Sequence, residues 1–146
     1  MPLLFRAMRE GVSGKPQVGP SARTLGVRPG IDILEDTGGR VVPNTGGMSV
    51  SPESPMHLPA YRRPPVFGGT GRDPVWSISD SALGPDLQYR LDHAKPESHG
   101  FIEPARPMTF DQYQHTLEAT QNSWNSVVPS WYRQCDRYEE RSVYEF

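Results

Sequence analysis

Cysteine is nearly absent from this chain of 146 residues. With Cys135 alone, no disulfide can close within it and no cysteine-built zinc site is available. Lysine is almost as scarce, because 13 of the 15 basic residues are arginine, whose planar fork favours bidentate contacts with anions. No apolar run approaches the length of about 18 residues that a membrane span needs. The opening Met1–Met8 is interrupted by Arg6 and followed by Arg9 and Glu10, so it lacks the unbroken apolar centre of a signal peptide. The expectation is a protein made in, and acting in, a cytoplasm. A net charge of −2 and an isoelectric point near 6.1 leave no basic excess, which disfavours a general nucleic-acid binder. The four histidines, His57, His93, His99 and His115, show no paired ligand spacing, and no metal is expected.

What is abundant is punctuation. The chain carries 14 glycines and 16 prolines, which cut against long helices and favour short strands joined by turns. Disorder would accord with that composition, but three Trp, six Tyr and five Phe at near-zero net charge supply enough apolar bulk for a folded core. A single domain is expected over 1–130, followed by a polar tail or short helix at 131–146.

Leu3–Met8 reads as an opening strand. Taken from the residues alone it is an edge strand with Arg6 turned to water. Ile31–Leu34 and Arg40–Val42 read as two short strands, separated by the hairpin-turn chemistry of Asp36-Thr37-Gly38-Gly39. After the pair Gly46-Gly47, Met48–Ser51 carries a hydroxyl at every second position, so Ser49 and Ser51 share one face of a strand and Met48 and Val50 the other. Residues 52–75 form a long loop with a helical turn near Met56–Arg63, and Val75–Ser79 alternates as a strand. Leu83, Leu87 and Leu91 have helical spacing broken by Gly84-Pro85. Thr109-Phe110-Asp111-Gln112 is a capping box, with Met108 and Tyr113 placed to form its staple. Tyr113, Leu117, Thr120 and Trp124 then fall on one face of a helix of three to four turns, read as core packing.

Three segments, in order and spacing, carry a resemblance: Leu4-Phe5-Arg6-Ala7, Thr45-Gly46-Gly47-Met48-Ser49-Val50, and His99-Gly100-Phe101-Ile102-Glu103-Pro104-Ala105-Arg106-Pro107-Met108. Together they resemble the type VI secretion exported effector-two toxins, small cytoplasmic poisons with ADP-ribosyltransferase-like folds, over roughly residues 3–128. The resemblance implies an α+β fold of two small, mostly antiparallel sheets around a cleft, with a few short helices. It implies NAD as substrate and no metal. It also implies an interbacterial or toxin–immunity role: export without a signal peptide, action in the cytoplasm of the target cell, and an immunity or antitoxin protein that covers the cleft at home.

Carried over by position, Arg6 takes the first-strand anchoring role and Ser49 the hydroxyl role. Glu103 is the acidic residue of the third segment, set against the reading that it is an exposed strand-end charge. Met48 stands where many relatives have a second hydroxyl. A departing nicotinamide leaves oxocarbenium character on the ribose, which is why a carboxylate is sought. Tyr61, Trp76 and Tyr89 are the aromatic candidates to stack on a flat cationic ring, each equally readable as core. His99 is a candidate to hydrogen-bond within the cleft. The competing function is a non-catalytic interaction domain that keeps the fold. An RNA-modifying phosphotransferase is disfavoured by the missing basic patch.

Overall fold

The computed structural model describes residues 2–129. The tail expected at 131–146, with Cys135 in it, lies outside the described residues. Short runs of alternating side chains form β1 (Leu3–Ala7), β2 (Arg40–Val41), β3 (Met48–Pro52), β4 (Val75–Ser79), β5 (Leu87–Leu91), β6 (Gly100–Pro104), β7 (Met108–Thr109) and β8 (Asn125–Val127). One α-helix, α1 (Phe110–Glu118), is present among the described residues. The strands build a six-stranded sheet in the order β5-β6-β3-β1-β4-β8, antiparallel throughout, and a separate ribbon of β2 with β7. The architecture is therefore α+β with two antiparallel sheets of unequal size.

Alternation along the strands sends apolar residues to both faces of the large sheet. Leu4, Val50, Trp76, Ile78 and Ile102 join Tyr113, Leu117 and Trp124 in the main core, while Phe5 and Val75 pack with Leu58 and Phe67 in a smaller one. A strand flanked on both sides and covered on both faces is not an edge. This corrects the reading of β1 as an edge strand with a wet arginine: β1 is central, and Arg6 is buried.

Two other readings change. Residues 31–34 form turns around an isolated bridge from Ile33 to Gly46, and β2 pairs with β7 rather than with that segment, so the expected hairpin does not form. Gly46 is held at φ +127°, where a Cβ would stand 2.3 Å from the carbonyl oxygen of Asp32. Only glycine permits this approach. The leucine triplet at helical spacing ends in a strand, because Leu87–Leu91 completes a full ladder along β6. Ladder pairing decides there over local period.

The capping box forms as read: Thr109 Oγ1 accepts from the Gln112 backbone at 3.1 Å and Gln112 Oε1 accepts from the Thr109 backbone at 3.0 Å. The helix stops at Glu118, shorter than the stripe implied. Thr120 donates its hydroxyl to the Leu117 carbonyl and receives the Trp124 indole N–H at 2.9 Å, closing the end by side-chain bonds. Trp124 still reaches the core, from beyond the helix.

Candidate functional site

Strands β1 and β3 pair only at Leu4–Pro52 and Phe5–Ser51, although β1 runs on to Ala7 and β3 begins at Met48. Where the ladder stops, a cleft opens, with a cavity of about 180 Å³. The Arg6 guanidinium lies across the gap and does what the missing ladder would have done: Nη1 donates to the Ser49 carbonyl at 2.9 Å. On its other side it meets the segment before Val27. Nε and Nη2 donate to the Thr24 carbonyl at 3.3 and 2.9 Å, and Nη2 also reaches the carbonyls of Ser21, Ala22 and Gly26. Five carbonyls thus hold one buried cation, and no carboxylate touches it. One of its five N–H groups, the second on Nη1, has no acceptor among the described residues. Burial pulls the guanidinium pKa down to about 10, with help from nearby Arg62, yet it stays charged at neutral pH.

The segment that supplies those carbonyls is itself pinned by α1. Gln114 accepts from the Val27 backbone at 3.1 Å and donates to the Leu25 carbonyl at 3.2 Å. On the opposite wall the Tyr113 hydroxyl accepts from the Met48 backbone at 3.1 Å and donates to the Ile102 carbonyl, which ties β3 and β6 to the same helix. Burial pushes the Tyr113 phenol well above its usual range, so it remains a neutral donor. Both walls are therefore positioned by consecutive residues of one helix.

Around the cavity the structure brings together four of the residues singled out in the sequence: Arg6, Ser49, Tyr61 and His99. The hydroxyls of Ser49 and its face-mate Ser51 make no hydrogen bond to any described residue. Tyr61, 69% exposed, stands at the mouth, with the Arg62 guanidinium 5.7 Å from its ring centre. Arg62 also donates to the Ala22 carbonyl, at 3.1 Å, so Arg6 and Arg62 converge on one oxygen. Arg28 completes the cationic lining, paired to Asp32 at 2.8 Å. Among the described residues no carboxylate side chain lines the cavity.

Three expected site residues lie elsewhere. Trp76 is 1% exposed and donates its indole N–H to the Met8 carbonyl at 2.8 Å, so its ring is core and has no face to offer a ligand. Glu103 is fully buried, neither an exposed strand end nor a wall of the cavity. Its carboxylate takes Arg90 at 2.8 Å, Gln88 at 2.7 Å and the Asn44 backbone at 3.0 Å. All the donors around it are protein groups, and the arrangement is that of a structural ion pair. Tyr89 lies on β5 beside Glu53, Leu91 and Pro2, away from the cleft.

Sequence reasoning missed Arg28, Arg62 and Ser51. The alternation that set Ser51 beside Ser49 was a usable signal. The two arginines sit in irregular segments, where spacing carries no information about facing.

A family model described as Tse2 ADP-ribosyltransferase toxin matches residues 3–124. A search of the curated proteins returns no match.

Proposed function

The chain belongs to the Tse2 ADP-ribosyltransferase toxin family, and from that premise we propose that it is an intracellular cytotoxin that binds NAD in the cleft between β1 and β3 and transfers or hydrolyses its ADP-ribosyl group. One observation carries this reading. Two guanidinium groups, Arg6 and Arg62, share the Ala22 carbonyl, and among the described residues no carboxylate lies on the lining and one Arg6 N–H has no acceptor. A buried guanidinium beside a half-buried one favours an anionic guest, since the guest supplies the charge that the protein withholds. A diphosphate fits that demand.

The cavity is smaller than the roughly 300–1,000 Å³ that encloses a whole drug-sized ligand, so it takes one end of a dinucleotide and leaves the other outside. Tyr61 at the mouth offers the aromatic face for a cationic ring that Trp76 does not. Ser49 and Ser51 present two unpartnered hydroxyls for ribose oxygens. NAD itself supplies a glycosidic bond to a positively charged nitrogen, which breaks with its electron pair going to nicotinamide. The chain's part is to hold the two halves apart, to neutralise the diphosphate and to keep the ribose oriented.

An immunity or antitoxin protein would silence this site most simply by covering the cleft mouth at Tyr61 and Arg62. The effector role, delivery to rival cells and action in their cytoplasm complete the proposal. The second reading, a binding domain of the same fold, draws on one observation: the sequestered Glu103 leaves the cavity without a carboxylate to steady an oxocarbenium ion.

Expression in bacteria lacking any protective partner tests both. Growth arrest with a fall in cellular NAD, relieved by Ser49→Ala at equal protein level, is the expected result. Arrest that persists in Ser49→Ala with NAD unchanged would establish the binding reading instead, and normal growth with abundant soluble protein would overturn the bacterial-toxin proposal.

A further inference from the structure

A cavity without a carboxylate still needs somewhere for the proton of the acceptor to go. Among the described residues that line it, His99 is the one side chain that can take a proton near neutral pH. Its surroundings are specific. The β5–β6 loop folds back on itself, with the Asp92 backbone donating to the His99 carbonyl at 3.0 Å and the His99 backbone donating to the Lys95 carbonyl at 2.9 Å. Across that closure the Asp92 carboxylate divides its oxygens: Oδ1 accepts from the Ala94 backbone at 3.0 Å, and Oδ2 stands 2.8 Å from His99 Nδ1. The ring is further fixed edge-on to Phe101, at 4.9 Å and 77°. These two bonds, the one to His99 first, hold the Asp92 carboxyl below its usual range.

An ionised carboxylate only accepts. The proton of the neutral imidazole is therefore on Nδ1, and Nε2 carries the lone pair. Nε2 has no partner among the described residues, on a side chain that lines the same cavity as Ser49 and Ser51. The other charged groups sharing the cleft or the loop are Arg6, Arg28 and Arg62 on the lining, Arg90 over the Phe101 ring, and Lys95 and Glu97, of opposite sign, in the loop.

We propose that Asp92 is a positioning residue that locks His99 in its Nδ1–H form, so that Nε2 is the general base for the attacking acceptor. This rests on the ADP-ribosyl transfer reading. In the step, an acceptor O–H (water in the simplest case) bonds through oxygen to the ribose carbon as the carbon–nitrogen bond breaks. The electron pair of that bond goes to nicotinamide, which leaves neutral, and the acceptor proton goes to His99 Nε2. No redox partner is required.

Two measurements on the intact chain decide it. Nitrogen-15 NMR of the imidazole at a pH where it is neutral is expected to show Nδ1–H as the dominant form in the wild type, and a mixture in Asp92→Asn, which retains the turn to Ala94. A wild type dominated by Nε2–H would overturn the proposal. NAD hydrolysis across pH is expected to lose about 10²- to 10⁴-fold in kcat in His99→Gln. In Asp92→Asn, kcat should fall at least about tenfold and its alkaline plateau be lost, with KM for NAD little changed. A loss in Asp92→Asn confined to KM, or an unaltered pH profile, would overturn the positioning role. If the wild type binds NAD but turns none over, the transferase reading falls together with the general base, while the NMR result still decides whether Asp92 orients the ring.

Discussion

Arg6 reaches across the splayed end of β1 and β3 and donates through Nη1 to the carbonyl of Ser49 at 2.9 Å. The bond joins the two central strands where their ladder has stopped, so the group that shapes the cleft is also part of its lining. Structure and site are not separable at this residue, and variants at the two ends of the bond must behave differently.

Arg6→Ala removes a donor from five carbonyls, of which Ser21 and Ala22 keep other donors while Thr24, Gly26 and Ser49 lose their side-chain partner. Each unsatisfied buried group costs about 1–3 kcal/mol, and partial hydration of the cavity recovers some of that. We expect Arg6→Ala to lose at least about 3 kcal/mol in denaturant titration. Ser49→Ala, whose lost hydroxyl bonds to no described residue, should stay within about 0.5 kcal/mol of wild type while lowering kcat/KM for NAD about tenfold. Equal stability of the two variants would show that the carbonyl cage does not hold Arg6.

Two of the three aromatic candidates, Trp76 and Tyr61, separate in the same way. Trp76→Ala removes a fully buried ring and its bond to Met8, and is expected to cost about 3–5 kcal/mol. Tyr61→Ala, at an exposed position, should leave the melting temperature nearly unchanged and raise KM for NAD several-fold. A Tyr61 variant with full NAD affinity would remove the stacking role from the site.

Glu103→Gln distinguishes a structural carboxylate from a catalytic one. With the pair to Arg90 broken inside the sheet, we expect roughly 3–5 kcal/mol lost in stability. At a temperature where the variant is still folded, NAD turnover should remain within a few-fold of wild type. Turnover abolished in folded Glu103→Gln would restore the carboxylate to the mechanism.

Acid should unfold the protein in part through Asp73. Two bonds from Arg23, each 2.7 Å, hold this carboxyl below its usual range in the folded chain. A carboxyl whose folded pKa is depressed stabilises fully above its unfolded value of about 3.9, and the contribution is lost as pH falls through the folded pKa. Denaturation midpoints measured between pH 6 and pH 2 are therefore expected to fall less steeply below about pH 4 in Asp73→Asn than in wild type. An identical slope in the two would remove Asp73 from the acid response.

The sequence by itself determined the local elements whose causes are local. The capping box at Thr109 and Gln112 starts the helix because both partners lie within one turn. Hydroxyl alternation put Ser49 and Ser51 on one face because a strand has a period of two. The three spaced segments identified the family, since they lie within the matched region. Tertiary structure decided everything that depends on which strands are neighbours. Arg6 reads as a wet edge residue until β3 and β4 are known to flank it. Leu83, Leu87 and Leu91 show only a broken helical spacing until β6 supplies a ladder to Leu87–Leu91. Glu103 reads as an exposed charge until Arg90 and Gln88 arrive from the adjacent strand. The cationic lining from Arg28 and Arg62 has no local signature at all, because irregular backbone has no period from which facing could be read. A bottom-up reading sees the bonds a residue makes within a turn or two; the bonds from Arg6 that make the cleft span 15 to 43 residues.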